Sequence, residues 1–415
     1  ISPMLDSLVM YKIFVTVLLV FVGGVAEVRS DQAPLLTEKV NESVADLIEG
    51  GKLAGTVVLV AQGGKLLHHK AYGERVIASG TGMTTDTVFR IHSMTKAVVS
   101  AAALQLWEQG KYELDDPVEI YLPAFESMSV LNENGEVIDA IEKMTVTDLF
   151  RHTSGLAYSF TAPKSLVDAY SGPRLWGGTS EQFCDQLAEI PLTHEPGQSW
   201  VYGVNTDVLG RLIEVWSGQT LDVYLEDNFF GPLKMNDTGF WLKSDDMLER
   251  FAAVHQSRQG EVVAGKDPLS QAYFKKPKMM SGGGGLVSTA KDYYQFLQMI
   301  ADGGVRFERR FLRPETVKLM TTNQLPKTVP QIFFGKEQRV AVGFGLGFSV
   351  VTGPSEGWDE AAPVNEYGWG GAASCHYWVS PEHDNLIVIT LEQTVPYNWN
   401  MERALKQVIY DALHQ

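Results

Sequence analysis

The chain has 415 residues, 45% apolar and 20% charged, an ordinary globular composition with ample material for a core. Its 34 Lys and Arg against 50 Asp and Glu leave a net charge of −16 with no basic run, which argues against nucleic acid or anionic lipid as a partner. The nine histidines form neither His-Glu-x-x-His nor His-x-His, and the two cysteines cannot build a zinc site, so no metal and no cofactor is implied.

In chain order, Lys12 precedes an apolar run at 13–22 and then Gly23-Gly24-Val25-Ala26. A basic residue, a short apolar core and small residues before a cut after Ala26 read as a signal peptide over 1–26. A spanning helix needs about 20 apolar residues, and Glu27 and Arg29 follow too soon; an uncleaved anchor is the alternative. The expectation is an exported protein, periplasmic or extracellular, without stable membrane association after cleavage. Cys184 and Cys375 lie far apart and neither sits in Cys-x-x-Cys, so they read as isolated buried thiols. A disulfide stays open because such a compartment permits one.

Val40, Val44, Leu47 and Ile48 recur at helical spacing up to Gly50-Gly51. Two β-type runs, 56–61 and 65–71, flank Gln62-Gly63-Gly64 and predict a hairpin, on which adjacent His68 and His69 should face opposite ways. From 91 to 284 helical patterns dominate. One helix begins near Ser93 and ends at Gly110; another carries Val208, Leu209, Leu212, Ile213 and Trp216 and ends at Gly218. Asp115-Asp116 before Pro117 reads as turn chemistry, not a catalytic pair. Gly282-Gly283-Gly284-Gly285 lacks the Gly-Lys-Ser/Thr ending of a phosphate loop and reads as a flexible structural loop. Thr289 and Asp292 then mark a helix start, β-like runs follow at 340–351, 373–379 and 386–391, and the chain closes with a helix bearing Leu405, Val408, Ile409, Ala412 and Leu413. The expected class is α+β: a mainly antiparallel sheet built from 27–90 and 285–415, flanked by the terminal helices, with a mostly helical region at 91–284 inserted and a cleft between.

The chemistry centres on Ser93-Met94-Thr95-Lys96. Residues i and i+3 of a helix share a face, so Lys96 can reach the Ser93 hydroxyl and serve as the base a serine nucleophile needs. That role requires an amine whose affinity for the proton is lowered by burial or neighbouring positive charge. Alone the pattern is weak, because a helix cap followed by a solvated lysine looks the same. Pro196-Gly197-Gln198-Ser199-Trp200-Val201-Tyr202 adds a turn delivering a tyrosine just before a helix, and Glu366-Tyr367-Gly368-Trp369-Gly370-Gly371-Ala372 adds a glycine-rich strand that a ligand can approach closely.

Serine, tyrosine and strand motif in this order resemble the serine β-lactamase and penicillin-binding superfamily, with the class C β-lactamases and family VIII carboxylesterases as nearest members. Further blocks at 148–156 and 229–240 extend the likeness over nearly the whole mature chain. The resemblance implies a β-lactamase/transpeptidase-like fold, with Ser93 as acylated nucleophile, Lys96 as its base and Tyr202 as a proton relay within reach of both. It also implies an oxyanion hole from the backbone N–H groups of Ser93 and Ala372, and substrate binding by Val204 and by the strand at Trp369, Gly370 and Gly371. Two departures set the substrate. Trp369 replaces the lysine of Lys-Thr-Gly that helps hold a β-lactam carboxylate, and Val204 replaces the asparagine that grips a side-chain amide. Asn205, one residue late, should point elsewhere. Trp-Gly-Gly is the form usual in family VIII carboxylesterases, so the resemblance implies hydrolysis of short-chain, small-molecule esters, with weak β-lactam hydrolysis persisting.

The alternatives are a class C-like β-lactamase or D-alanyl peptidase, a module that acylates once and stalls, and an acyltransferase. Gly353-Pro354-Ser355-Glu356-Gly357 matches a nucleophile elbow, but loop composition follows it and Ser355 is set aside. His92 and His152 read as packed supporting histidines. Oligomeric state is not legible.

Overall fold

A computed structural model describes residues 32–266, 270–334 and 336–414; the expected signal peptide lies outside the described residues. In chain order the elements that position the site are α1 (Gln32–Glu49), β1 (Gly55–Gln62), β2 (Lys65–Val76), β3 (Thr81–Gly82), β4 (Phe89–Arg90), α2 (Thr95–Glu108), α3 (Val146–Arg151) and α4 (Asn205–Ser217). They continue with β5 (Val287–Ser288), α5 (Ala290–Ala301), β6 (Ile332–Phe334), β7 (Glu337–Arg339), β8 (Val342–Phe344), β9 (Ser349–Val351), β10 (Tyr367–Gly371), β11 (Cys375–Ser380), β12 (Leu386–Leu391) and α6 (Asn400–His414).

The main sheet has eight strands in the order β8-β9-β10-β11-β12-β1-β2-β3, antiparallel throughout. Strands from both ends of the chain therefore meet at the β12–β1 pair, where Leu59 faces Ile389. Along β1, Val58 and Val60 pack with Leu36, Val40, Leu405 and Ile409 of the terminal helices, whereas Val57, Leu59 and Ala61 belong to the core on the other side. Side chains alternate across a strand. A strand covered on both faces must therefore be apolar at successive positions, which is why β1 reads as an unbroken apolar run. His68 and His69 split as expected: His68 lies opposite Val60 on the helix-covered face and bonds Thr37 of α1, while His69 lies opposite Leu59.

The second core joins the inner sheet face to the helices between the two halves of the sheet, from Val57 and Ile389 to Val98, Leu209 and Phe229, without a break. Helices are not the whole of 91–284, because small hairpins pair Ser129–Leu131 with Val137–Asp139 and His255–Arg258 with Glu261–Ala264. The apolar run at 340–351 is not one strand: Val342 faces Val351 across a hairpin of β8 and β9, folded at a Gly347 with φ +117°. Glycines at 343, 345 and 347 make that reversal accessible, and a Cβ at 347 would lie 2.7 Å from that of Ser100. Asp116 is a turn residue, accepting from the Glu113 N–H and the Tyr121 hydroxyl. Among the described residues no helix is long and apolar enough to cross a membrane.

Candidate active site

Ser93 sits in the single turn His92–Met94 that leads into α2. The backbone of His92 is left-handed, with φ +44°, a conformation that costs a non-glycine residue energy and is found at constrained sites. The turn is held from below by the Tyr293 hydroxyl on the Met94 carbonyl and by the Leu286 N–H on the Thr95 hydroxyl. From the side, β10 closes on it: a Cβ at Gly371 would stand 2.4 Å from the Ile91 carbonyl, so only glycine lets the strand come this close. This contact sets Ala372 beside Ser93 in the wall of one cavity of about 680 Å³, with Tyr202, Trp369, Gly370 and Gly371.

Lys96 lies one turn on, 3% exposed. Its Nζ is 3.4 Å from Ser93 Oγ, 2.9 Å from Tyr158 Oη and 2.6 Å from the Gly283 carbonyl. The serine–lysine contact is loose, as nucleophile–base pairs without substrate often are. Tyr202 reaches the lysine through its ring, whose centroid is 4.7 Å from Nζ, while its hydroxyl accepts from the Trp369 indole N–H at 3.2 Å. With that acceptor position filled by Trp369, the Tyr202 proton is left to point elsewhere.

Sequence reasoning missed the tyrosine that takes the lysine's hydrogen bond. Tyr158 is held protonated, because burial and the neighbouring Asp207 push its phenol well above the ordinary range. Its hydroxyl is 3.5 Å from Asp207 Oδ2, and Asp207 Oδ1 accepts from the Ser281 hydroxyl at 2.6 Å and the Gly283 N–H at 3.1 Å. Burial raises Asp207 above the usual carboxylate range, against the lowering pull of Lys96. The four glycines are correspondingly not a loose loop. A Cβ at 283 would fall 2.3 Å from Asp207 and 2.6 Å from Tyr158, and one at 282 would fall 2.3 Å from the Thr206 carbonyl. Tyr158 follows the 148–156 block with no motif of its own, and Asp207 looked like an ordinary first-turn acid of α4. Neither carried a local signal.

The 148–156 block holds the tyrosine segment in place. Thr145 and Asp148 cap α3 reciprocally, and Asp148 also accepts from Arg151 and Thr153. His152, buried and kept neutral because burial lowers it well below the imidazole range, accepts on Nδ1 from the Asn205 amide and the Gly203 N–H. Gly203 passes so close to Leu156 that a Cβ would lie 2.1 Å from its carbonyl. Asn205 points away from the cleft, toward Ser154 and His152. His92 is likewise lowered, to about 4, by burial and by Arg90 and Lys96 beside it.

Val204 needs correction as a substrate-binding residue. Its side chain is fully buried in the core and exposes no surface to the cleft. The α4 N-terminus turns it inward, so its effect is to leave the cleft without an amide rather than to touch substrate. The apolar wall comes from Phe160, Ile332 and Phe334, with the Phe334 ring 5.2 Å from that of Tyr202. Ser355 donates to the Val340 carbonyl at 2.6 Å and is a turn residue. Cys184 and Cys375 are separate buried thiols. Among the described residues no cluster could hold a metal ion.

A family profile described as Beta-lactamase matches residues 40–409. Esterase EstB of Burkholderia gladioli is 30% identical over 83% of this chain and 86% of its own. Acyltransferase mokF of Monascus pilosus is 30% identical over 72% of this chain and 77% of its own. The solved structure of Simvastatin Synthase (LovD) from Aspergillus terreus superposes with a TM-score of 0.77 at 25% identity, covering 93% of this chain and all of that one. The chain belongs to the β-lactamase family, among the family VIII esterases of the serine β-lactamase and penicillin-binding superfamily.

Proposed function

We propose that the protein is an exported serine carboxylesterase acting on short-chain, small-molecule esters. The observation that carries this reading is the Ser93–Lys96 pair opening onto a cleft whose recognition strand bears Trp369 where a β-lactamase carries lysine. Ser93 Oγ forms the bond to the ester carbonyl as its proton passes to Lys96. The backbone N–H groups of Ser93 and Ala372 hold the oxyanion, each contributing on the order of 3 kcal/mol of transition-state stabilisation. The alcohol leaves with a proton returned through Lys96 or Tyr202, and water then attacks the acyl-enzyme along the same path in reverse. Tyr158 gives the lysine a neutral oxygen partner throughout, so that Lys96 is free to exchange its proton with the serine.

The test is turnover of p-nitrophenyl butyrate and nitrocefin side by side, by the wild type and Ser93→Ala. Ser93-dependent ester hydrolysis with slow nitrocefin turnover supports the reading; nitrocefin turnover equal to or above the ester returns the protein to the β-lactamases. Export rests on residues 12–26, and N-terminal sequencing of the mature chain should begin at Glu27.

One observation favours a second reading, acyl transfer: mokF, a relative at 30% identity, is named an acyltransferase. A transferase predicts that added alcohol raises p-nitrophenol release and diverts the acyl product to a new ester.

A further inference from the structure

The cavity that opens at Ser93 does not end at the acyl pocket. Strand β9 pairs with β10 only at Tyr367 and Gly368, so the edge from Trp369 to Gly371 faces the cavity instead of a strand. Around that edge the cavity reaches the opposite face of the sheet, where Gly370 lies across from His376 and Gly368 from Trp378. Glycine keeps this passage open: a Cβ at 370 would stand 2.9 Å from the Tyr397 hydroxyl. Beyond it the walls are Arg339, Trp358, Tyr397, Trp399, Glu402 and Lys406.

The charges of this outer chamber differ in how closely they are paired. Asp359, Glu366 and Glu402 all close on Lys406, Glu402 also lies 3.1 Å from His376 Nδ1, and Glu366 accepts from the Tyr410 hydroxyl. Arg339 is different. Its guanidinium carbon is 3.9 Å from the Trp358 ring centroid and 4.7 Å from that of Trp399, with Phe334 of the acyl pocket at 5.3 Å. Its Nε–H is buried with no acceptor among the described residues. The neighbouring carboxylate of Glu337, 46% exposed, stays at 3.6 Å, beyond hydrogen-bond range and weak at such exposure.

A buried donor left unpaired in a folded protein calls for a partner. A guanidinium packed against two indoles, with its Nε–H unpaired and only the half-exposed Glu337 carboxylate near Nη2, matches a planar oxyanion in two-point contact. Because the chamber is continuous with the nucleophile, that oxyanion can belong to the molecule being hydrolysed. We propose that Arg339 anchors a subsite for a carboxylate carried by the ester substrate, several atoms from the scissile carbonyl. The proposal rests on the esterase reading and adds the substrate class to it.

Mono-p-nitrophenyl esters of glutaric, adipic and suberic acid, each set against the neutral p-nitrophenyl ester of equal chain length, test a carboxylate on the acyl side. Butyryloxybenzoate against phenyl butyrate tests the alcohol side. In the wild type, at least one charged ester should exceed its neutral match in kcat/KM by roughly tenfold, mainly through KM, as one charge-assisted hydrogen-bonded contact provides. Arg339→Met should remove that ratio, and Arg339→Lys should restore part of it. A ratio near one for every pair in the wild type, or a ratio that Arg339→Met leaves unchanged, overturns the proposal. If no ester is hydrolysed in a Ser93-dependent way, the esterase reading has failed, and the subsite is judged by titrating suberate into wild type and Arg339→Met. Binding lost in the variant upholds it; equal or absent binding overturns it.

Discussion

Lys96 and Lys406 are nearly equal in burial, at 3% and 2% exposure, and differ in what surrounds them. Lys96 meets neutral oxygens, those of Ser93, Tyr158 and Gly283, and reaches the Asp207 carboxylate through Tyr158. Lys406 sits among three carboxylates, whose attraction outweighs burial and holds its ammonium well above the ordinary lysine range. Burial by itself thus says little about a lysine's role. Neutral partners leave a lysine able to take and return a proton, whereas ionised partners fix its charge and make it a strut between α6 and the loop carrying Asp359 and Glu366.

The sharpest way to break this contrast is to remove each amine. Lys96→Ala and Ser93→Ala should each lower kcat/KM on p-nitrophenyl butyrate on the order of a thousandfold or more, with the melting temperature little changed. Lys406→Met should do the reverse. Leaving the buried Glu366 and the part-buried Glu402 and Asp359 without their shared cation should cost about 3–5 kcal/mol of stability, measured by urea titration, while the protein that remains folded keeps most of its kcat. If Lys406→Met abolished kcat in fully folded protein, the division between working and structural lysine would fall.

The same contrast explains how much could be read from the sequence. Ser93, Lys96, Tyr202 and the Trp369 strand were legible because each sits in a contiguous motif whose spacing is set by one helix turn or one strand. The sheet was legible through β1 and β12, whose apolar runs follow from burial on both faces. Tyr158, Asp207 and Gly283 were not, since their relation exists only where three separate segments meet. The 340–351 run failed as one strand because its apolar residues hid a glycine reversal. Val204 failed because a departure from a family motif marks a missing group and says nothing of where the replacement points.

Between the two lysines in expected effect stand the groups that keep Lys96 among neutral oxygens. Tyr158→Phe removes the hydroxyl at 2.9 Å from the amine and should lower kcat by about 10- to 100-fold. Asp207→Asn should have a smaller effect, about tenfold, because the asparagine oxygen can still accept from Ser281 and Gly283. Both variants should shift the pH profile of kcat/KM, which a purely structural loss would scale without moving. An unchanged profile in both would return Tyr158 to the wall of the pocket.

Glu392 supplies the most direct test of the rule drawn from the lysines. It is a buried carboxylate with the Thr394 hydroxyl as its offsetting partner, and burial raises it to about 8 from an ordinary 4.5. A raised carboxyl means that the folded chain keeps a proton the unfolded chain has lost. Stability should therefore be full below about pH 4.5 and fall as pH rises toward 8. Glu392→Gln mimics the protonated form at every pH. The variant should match wild type near pH 4.5 and exceed it by a margin that widens up to pH 8, read as a divergence of the two unfolding curves. A gap that stays constant with pH would mean that a cation compensates Glu392 as Lys406 compensates its three carboxylates.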